Sequence, residues 1–204
     1  SVYYPTPEEV AASKQSYLES VKAKEVAELE AQKASEILAP FGFNWGDTRE
    51  QLISKGIKLD CGNEAGRLSI CRTERAVVDV SFAETYALVF DDKIGLVKVQ
   101  MVGNDIESDI TGSKGKELYS RVANSISEKY GVPKSYEYSG REVYREYDEF
   151  YQCLKYDGCG NWVSYWGEGN SQGFITLQLI GSSRGTGYLR ILYESTAFYQ
   201  IVDE

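Results

Sequence analysis

Residues Phe41–Leu59 read FGFNWGDTREQLISKGIKL, an aromatic-rich entry followed by a helix start, a short helix and a glycine stop. Asp47 or Thr48 is placed to cap the helix, with Glu50 or Gln51 reaching back as the capping-box partner. Gly56 supplies a left-handed stop, because glycine adopts positive φ without steric cost. Leu52 and Ile53 are expected to face inward, with Phe41, Phe43 and Trp45 seating the helix on a sheet. The stretch divides a polar preamble, residues 1–39, from a single packed domain, residues 40–204.

Upstream, Thr6-Pro7-Glu8-Glu9 is a helix entry, with Thr6 as N-cap, Pro7 at the first helical position and Glu9 reaching back. The helix is expected to run to about Leu38 and stop before Pro40. Its apolar positions (Val10, Tyr17, Val21, Val26, Leu29, Ile37) make a thin, interrupted stripe between charged residues. That pattern suits a solvated stalk, or a helix that packs on a partner or a second copy.

Downstream, strands are expected at Arg67–Arg72, Ala76–Phe82, Tyr86–Phe90 and Ile94–Met101. Asp91-Asp92-Lys93 reads as a tight hairpin turn. Lys114–Tyr130 is a helix with Leu118, Val122, Ile126 and Tyr130 on one face, ended by Gly131-Val132-Pro133. A second helix is expected over Glu142–Leu154, then strands at Asn161–Trp166, Gly173–Gly181 and Gly187–Ser195, and a closing helical turn at Ala197–Val202. The fold class is α+β: a mainly antiparallel sheet with two or three packed helices, plus the long N-terminal helix. The order also allows two similar α+β halves, 41–132 and 140–204.

Composition narrows the chemistry. The 204 residues include no His, which removes the commonest general base and the commonest metal ligand together. Hydrolytic triads, His-bearing zinc sites and imidazole proton shuttles are excluded. The net charge of −9 opposes nucleic-acid binding and favours encounter with a basic protein or cationic ligand. No apolar run is long enough to span a bilayer. The four cysteines allow three connectivities, and the local pairs Cys61–Cys71 and Cys153–Cys159 are favoured over free buried thiols. Disulfides point to an exported protein, periplasmic or cell-surface, with its signal peptide removed.

The string Phe43-Asn44-Trp45-Gly46-Asp47-Thr48-Arg49-Glu50-Gln51-Leu52 resembles the opening of several groups of small exported bacterial α+β proteins of unassigned function. Val89–Leu96 resembles their acidic-turn hairpin, Leu118–Pro133 their helix ending in Tyr-Gly-x-Pro, and Ile191–Ser195 a closing strand. A looser likeness runs to the β-lactamase-inhibitor-like and outer-membrane assembly lipoprotein folds. The resemblance implies export and a binding role, and carries over no catalytic residue.

Three constellations carry little. Asp105, Glu107 and Asp109 have calcium-loop spacing, but Ile110 and Lys116 occupy the glycine and bidentate-glutamate positions. Asp91/Asp92 and Glu146/Glu149 are explained by a turn and a helix face. Gly181–Gly187 is a hairpin loop with no helix N-terminus after it. No metal or cofactor is expected.

Strand alternation in the last sheet carries more. It assigns Val163, Tyr165, Ile175, Leu177, Leu179, Leu189, Ile191 and Tyr193 to the core. The other face receives Trp162, Trp166, Phe174, Thr176, Gln178, Tyr188, Arg190 and Glu194. Trp, Tyr and Arg beside small polar groups are favoured at protein interfaces, and flat aromatics also stack on sugars. The competing assignment is that a helix covers this face. The partner-binding set expected from sequence is therefore Trp162, Trp166, Phe174, Gln178, Tyr188 and Arg190, in a non-enzymatic exported protein of inhibitor or immunity type. The alternatives are an envelope-assembly protein working, as a homo-oligomer or otherwise, through its N-terminal helix, and a glycan-binding module.

Overall fold

A computed structural model describes residues 4–62, 66–167 and 172–202, without the side chains of 30–35. The chain divides into two compact units, Ser1–Glu36 and Ile37–Glu204. The first is a single helix, α1 (Pro7–Ser35). At its start the Thr6 amide donates to Glu9 Oε2 at 2.7 Å and the Glu9 amide donates to Thr6 Oγ1 at 3.2 Å, a reciprocal cap. Val10, Tyr17, Leu18, Val26 and Leu29 are exposed on it. Among the described residues no helix is long and apolar enough to cross a membrane. The helix stops short of the expected Leu38, and Ile37 is no part of its stripe. Instead Ile37 is 2% exposed in the core of the second unit, where its carbonyl accepts the Trp45 indole at 2.9 Å.

The second unit is α+β. In chain order it holds α2 (Arg49–Ser54), β1 (Asp60–Cys61), β2 (Leu68–Thr73), β3 (Ala83–Asp91), β4 (Gly95–Gly103) and α3 (Ser113–Tyr130). There follow β5 (Lys134–Tyr138), α4 (Phe150–Lys155), β6 (Asn161–Trp166), β7 (Phe174–Ser183), β8 (Thr186–Glu194) and α5 (Thr196–Val202). All eight strands form one antiparallel sheet in the order β1-β2-β3-β4-β8-β7-β6-β5. Each half is a four-stranded meander, and the two halves meet where β4 pairs with β8.

Phe41–Leu59 is built by its own caps and pinned by backbone. Thr48 is the N-cap of α2, with Gln51 completing the capping box. The Gly46 amide donates to Leu96 O at 2.9 Å, and the Leu96 amide donates to Asp47 O at 2.8 Å, tying the entry to β4. Position 95 must be glycine: its φ is +87°, and a Cβ there would lie 2.3 Å from Gly46 O. Leu52 is fully buried as expected, but Ile53 is 57% exposed, because so short a helix presents only one side to the sheet.

Among the described residues four helices accompany the sheet, against two or three expected, and besides the two-residue β1 three segments depart from the sequence reading. Ala76–Phe82 is no strand. The Asp79 carboxylate accepts the Ala76 amide at 2.8 Å, and the Val78 amide goes to Phe41 O at 2.9 Å, so local bonds displace a ladder. The second helix spans Phe150–Lys155 rather than Glu142–Leu154. Tyr144 has φ +51° and the Glu146 amide donates to Glu149 Oε2, a turn that postpones the helix. Strand β5 was not foreseen, since its residues lack an apolar alternation and lie at the sheet edge.

Both local disulfides are present, Cys61–Cys71 and Cys153–Cys159, and no cysteine is free. Cys61 and Cys71 are directly opposite on β1 and β2. Cys153 closes α4 onto the loop before β6. In the chain-entropy model each loop closure contributes on the order of 2–3 kcal/mol.

The helices α2, α3 and α4 pack on one side of the sheet. Leu52, Tyr119, Ile126, Phe150 and Tyr151 join Leu88, Val99, Met101, Ile175, Leu177 and Ile191 in a single core. The start of α3 is held by Asp109, which is 4% exposed. Its carboxylate accepts the Lys114 and Gly115 amides at 3.0 and 2.9 Å and the Tyr151 hydroxyl at 2.6 Å. Burial alone would raise the Asp109 pKa, but these three hydrogen bonds together hold it below the usual carboxylate range. A depressed native pKa contributes stability that is complete above the unfolded value, about 4, and is lost as pH falls through the native value. Urea unfolding should show Asp109→Asn destabilised by about 1–3 kcal/mol at neutral pH, and less so in acid. An unchanged difference between neutral and acidic pH would show that the carboxylate is not what seats α3.

Candidate docking face

Cross-strand partners in an antiparallel sheet share a face, so the register assigns every strand residue to one side. One row runs Ser135–Ser164–Leu177–Ile191–Met101–Tyr86–Thr73, the next Trp166–Ile175–Tyr193–Val99–Leu88–Cys71–Cys61. These lie under the helices. The opposite side carries three long rows, with the pairs Ile180–Tyr188 and Tyr138–Asn161 beyond them. The first is Tyr136–Val163–Gln178–Arg190–Val102–Thr85, and the second, Lys134–Tyr165–Thr176–Leu192–Gln100–Ala87–Arg72–Asp60, crosses all eight strands. The third is Phe174–Glu194–Lys98–Val89–Ile70.

This geometry corrects the expected site. Phe174, Gln178, Tyr188 and Arg190 do share the outer side, half-buried. Trp162 and Trp166 do not. Trp166 pairs with Ile175, is 2% exposed, and donates its indole N–H to Gly131 O at 3.1 Å and Ser127 Oγ at 3.3 Å at the end of α3. Trp162 lies on the same side, its ring 5.4 Å from Phe150 and under the Lys116 ammonium at 4.8 Å. Val163 and Tyr165, expected in the core, lie on the outer side by register, Val163 buried there as expected and Tyr165 half-buried. The alternation in β6 is real; its phase relative to β7 is shifted by one residue, which exchanges the two sides.

Tyr165 is what the sequence reading missed. Its ring stacks on Phe174 at 5.7 Å and 22°, and meets Tyr136 edge-on at 6.2 Å. Tyr136 is 53% exposed on the edge strand. The three rings border a 470 Å³ recess at the strand ends, which Tyr130, Val132, Lys134, Trp166 and Gly167 also line. Beside them a polar chain crosses three strands: Arg190 Nη2 donates to Gln178 Oε1 at 2.8 Å, and Gln178 Nε2 donates to Asn161 Oδ1 at 3.3 Å. A larger recess of 710 Å³ lies by Asp60 and Arg72 near the other edge, lined by Lys58, Glu74 and Arg75. Its mixed charges and lack of rings make it the poorer anchor.

Helix α5 reaches the outer side at one end only. Phe198 lies 5.0 Å from the Lys98 ammonium, and Tyr199 hydrogen-bonds Glu194. Burial, then the neighbouring Glu194 charge, push the Tyr199 pKa up. The remaining displaced groups belong to the helix side or to turns. Burial pushes Tyr119 up to about 12, with its hydroxyl bonded to Ser164 beneath α3. Burial and the Asp109 carboxylate raise Tyr151, and burial raises Tyr86 and Tyr193. Burial opposes the ionisation of Asp91, but the Lys93 and Ile94 amides and paired Arg67 hold its pKa down in the β3–β4 turn. Each has a structural partner, and they do not converge on one cleft. Among the described residues no group of three His, Cys, Asp or Glu could hold a metal ion.

The face assignment has a direct consequence for stability. Trp166→Ala should cost about 3–5 kcal/mol in urea unfolding, as a buried aromatic does. Tyr165→Ala should cost much less, and acrylamide should quench Trp166 poorly. Equal losses for the two, or a readily quenched Trp166, would reverse the two sides. No family model, curated protein or solved structure matches the chain.

Proposed function

We propose that this is a non-enzymatic exported binding protein, of inhibitor or immunity type, that docks a protein partner on the outer side of its sheet. The observation that carries the reading is the Tyr136–Tyr165–Phe174 group next to the Arg190–Gln178–Asn161 chain, on a side that α5 covers only at one end. Aromatic rings and arginine held in place by neighbours lose little freedom on binding, which is why they dominate interface energetics. The two disulfides support export. The resemblance of the Phe43–Leu52 opening to small exported proteins supports it too. The net charge of −9 favours a partner that is basic as a whole, through faster encounter.

A protein suits these rings better than a sugar. Tyr165 and Phe174 stack on each other, so part of each ring face is already used. A glycan would need those faces free, whereas side chains from a partner can pack on ring edges and fill the adjoining recess. The envelope-assembly alternative rests on α1, whose exposed apolar residues do not gather into one stripe.

Affinity capture from native envelope, with the full chain as bait, tests the reading. Wild type and a control variant at the exposed Tyr147 should retain the same protein, and Tyr165→Ala with Phe174→Ala should lose it while remaining folded. Binding that is indifferent to the two rings would sink the proposal.

A further inference from the structure

Arg190 sits near the centre of the outer side, with Gln178 of β7 and Val102 of β4 directly opposite it. Its Nη2 is satisfied by Gln178, but its Nε is buried and has no hydrogen-bond partner. The other members of its cross-strand row, Tyr136, Val163, Gln178, Val102 and Thr85, include no acid. The carboxylate on the same side of β8, Glu194, is engaged by Lys98 at 4.0 Å and by Tyr199. Acids are not scarce, for the chain has 31 of them against 22 Lys and Arg. Yet among the described residues none pairs with this half-buried guanidinium. Holding a half-buried cation with no acid beside it is costly, and a group in that state calls for a negative partner from outside.

We propose that Arg190 is the anchor of the docking face and receives a carboxylate, from an Asp or Glu side chain of the protein partner. This rests on the docking reading above and specifies its chemistry. Gln178, itself held by Asn161, keeps the guanidinium plane in place, leaving the terminal N–H groups that Gln178 does not take to receive the carboxylate. An apolar or aromatic neighbour of that acid lies against Tyr165 and Phe174. The partner is therefore locally acidic at the contact, whatever its net charge.

A random-peptide library displayed on phage and selected against the full chain tests this. Enriched peptides should carry an Asp or Glu beside an apolar or aromatic residue. Arg190→Met and Arg190→Gln should each weaken a resynthesised peptide by roughly tenfold or more, with unfolding midpoints at or near the wild-type value. Converting the peptide's acid to its amide should weaken binding equally to wild type, and no further to Arg190→Met. Peptides that need Tyr165 and Phe174 but show no acidic bias, or bind Arg190→Met unchanged, overturn the Arg190 assignment and leave the docking face standing. A selection in which no peptide depends on either ring overturns both.

Discussion

The pairing of β4 with β8 is the constraint on which the rest of this domain depends. Five register pairs, Lys98–Glu194 through Val102–Arg190, turn two four-stranded meanders into one sheet. A meander alone would have a long open edge there, with its backbone groups unmet and its apolar side half covered. Joining the edges satisfies those groups and brings Val99 and Met101 against Tyr193 and Ile191 under the helices. The same pairing aligns Gln100 with Leu192 and Val102 with Arg190 on the other side. Core and outer face are thus two products of one register, and neither could shift without the other.

What was legible in the sequence was local chemistry. Thr48 with Gln51, Gly56, the Asp91 turn and the Gly131 stop each declare themselves within a few residues, because caps and turns bond to their own neighbourhood. The α+β class and the antiparallel character follow from strings of such signals. Phase between strands is a different kind of information. Trp162 and Trp166 alternate with Val163 and Tyr165 whichever way β6 is turned, and only the pairing of Trp166 with Ile175 decides the matter. Aromatic residues made the choice harder, since rings serve equally well under a helix or at an interface. Ala76–Phe82 failed for the opposite reason: its alternation was genuine, but the Asp79 side chain captured the backbone first.

The two sides of the sheet solve different physical problems. Under the helices, buried polar groups meet one another, as Tyr119 meets Ser164, Tyr151 meets Asp109 and the Trp166 indole meets the end of α3. Those bonds orient the helices as well as hold them. On the outer side most strand side chains are half-buried, with Val163 and Thr176 covered. Lys98 and Glu194 are matched, Gln178 is shared between two neighbours, and Arg190 is left with a donor to spare. Incomplete satisfaction there goes with incomplete coverage.

The absence of histidine has a reach beyond the mechanisms it excludes. With no imidazole to titrate, only perturbed groups could give the folded domain a charge change near neutrality. The displaced ones move the other way: Asp91 and Asp109 are driven down, and Tyr119, Tyr151, Tyr193 and Tyr199 are driven up. Each of these groups therefore keeps one charge state across the neutral range.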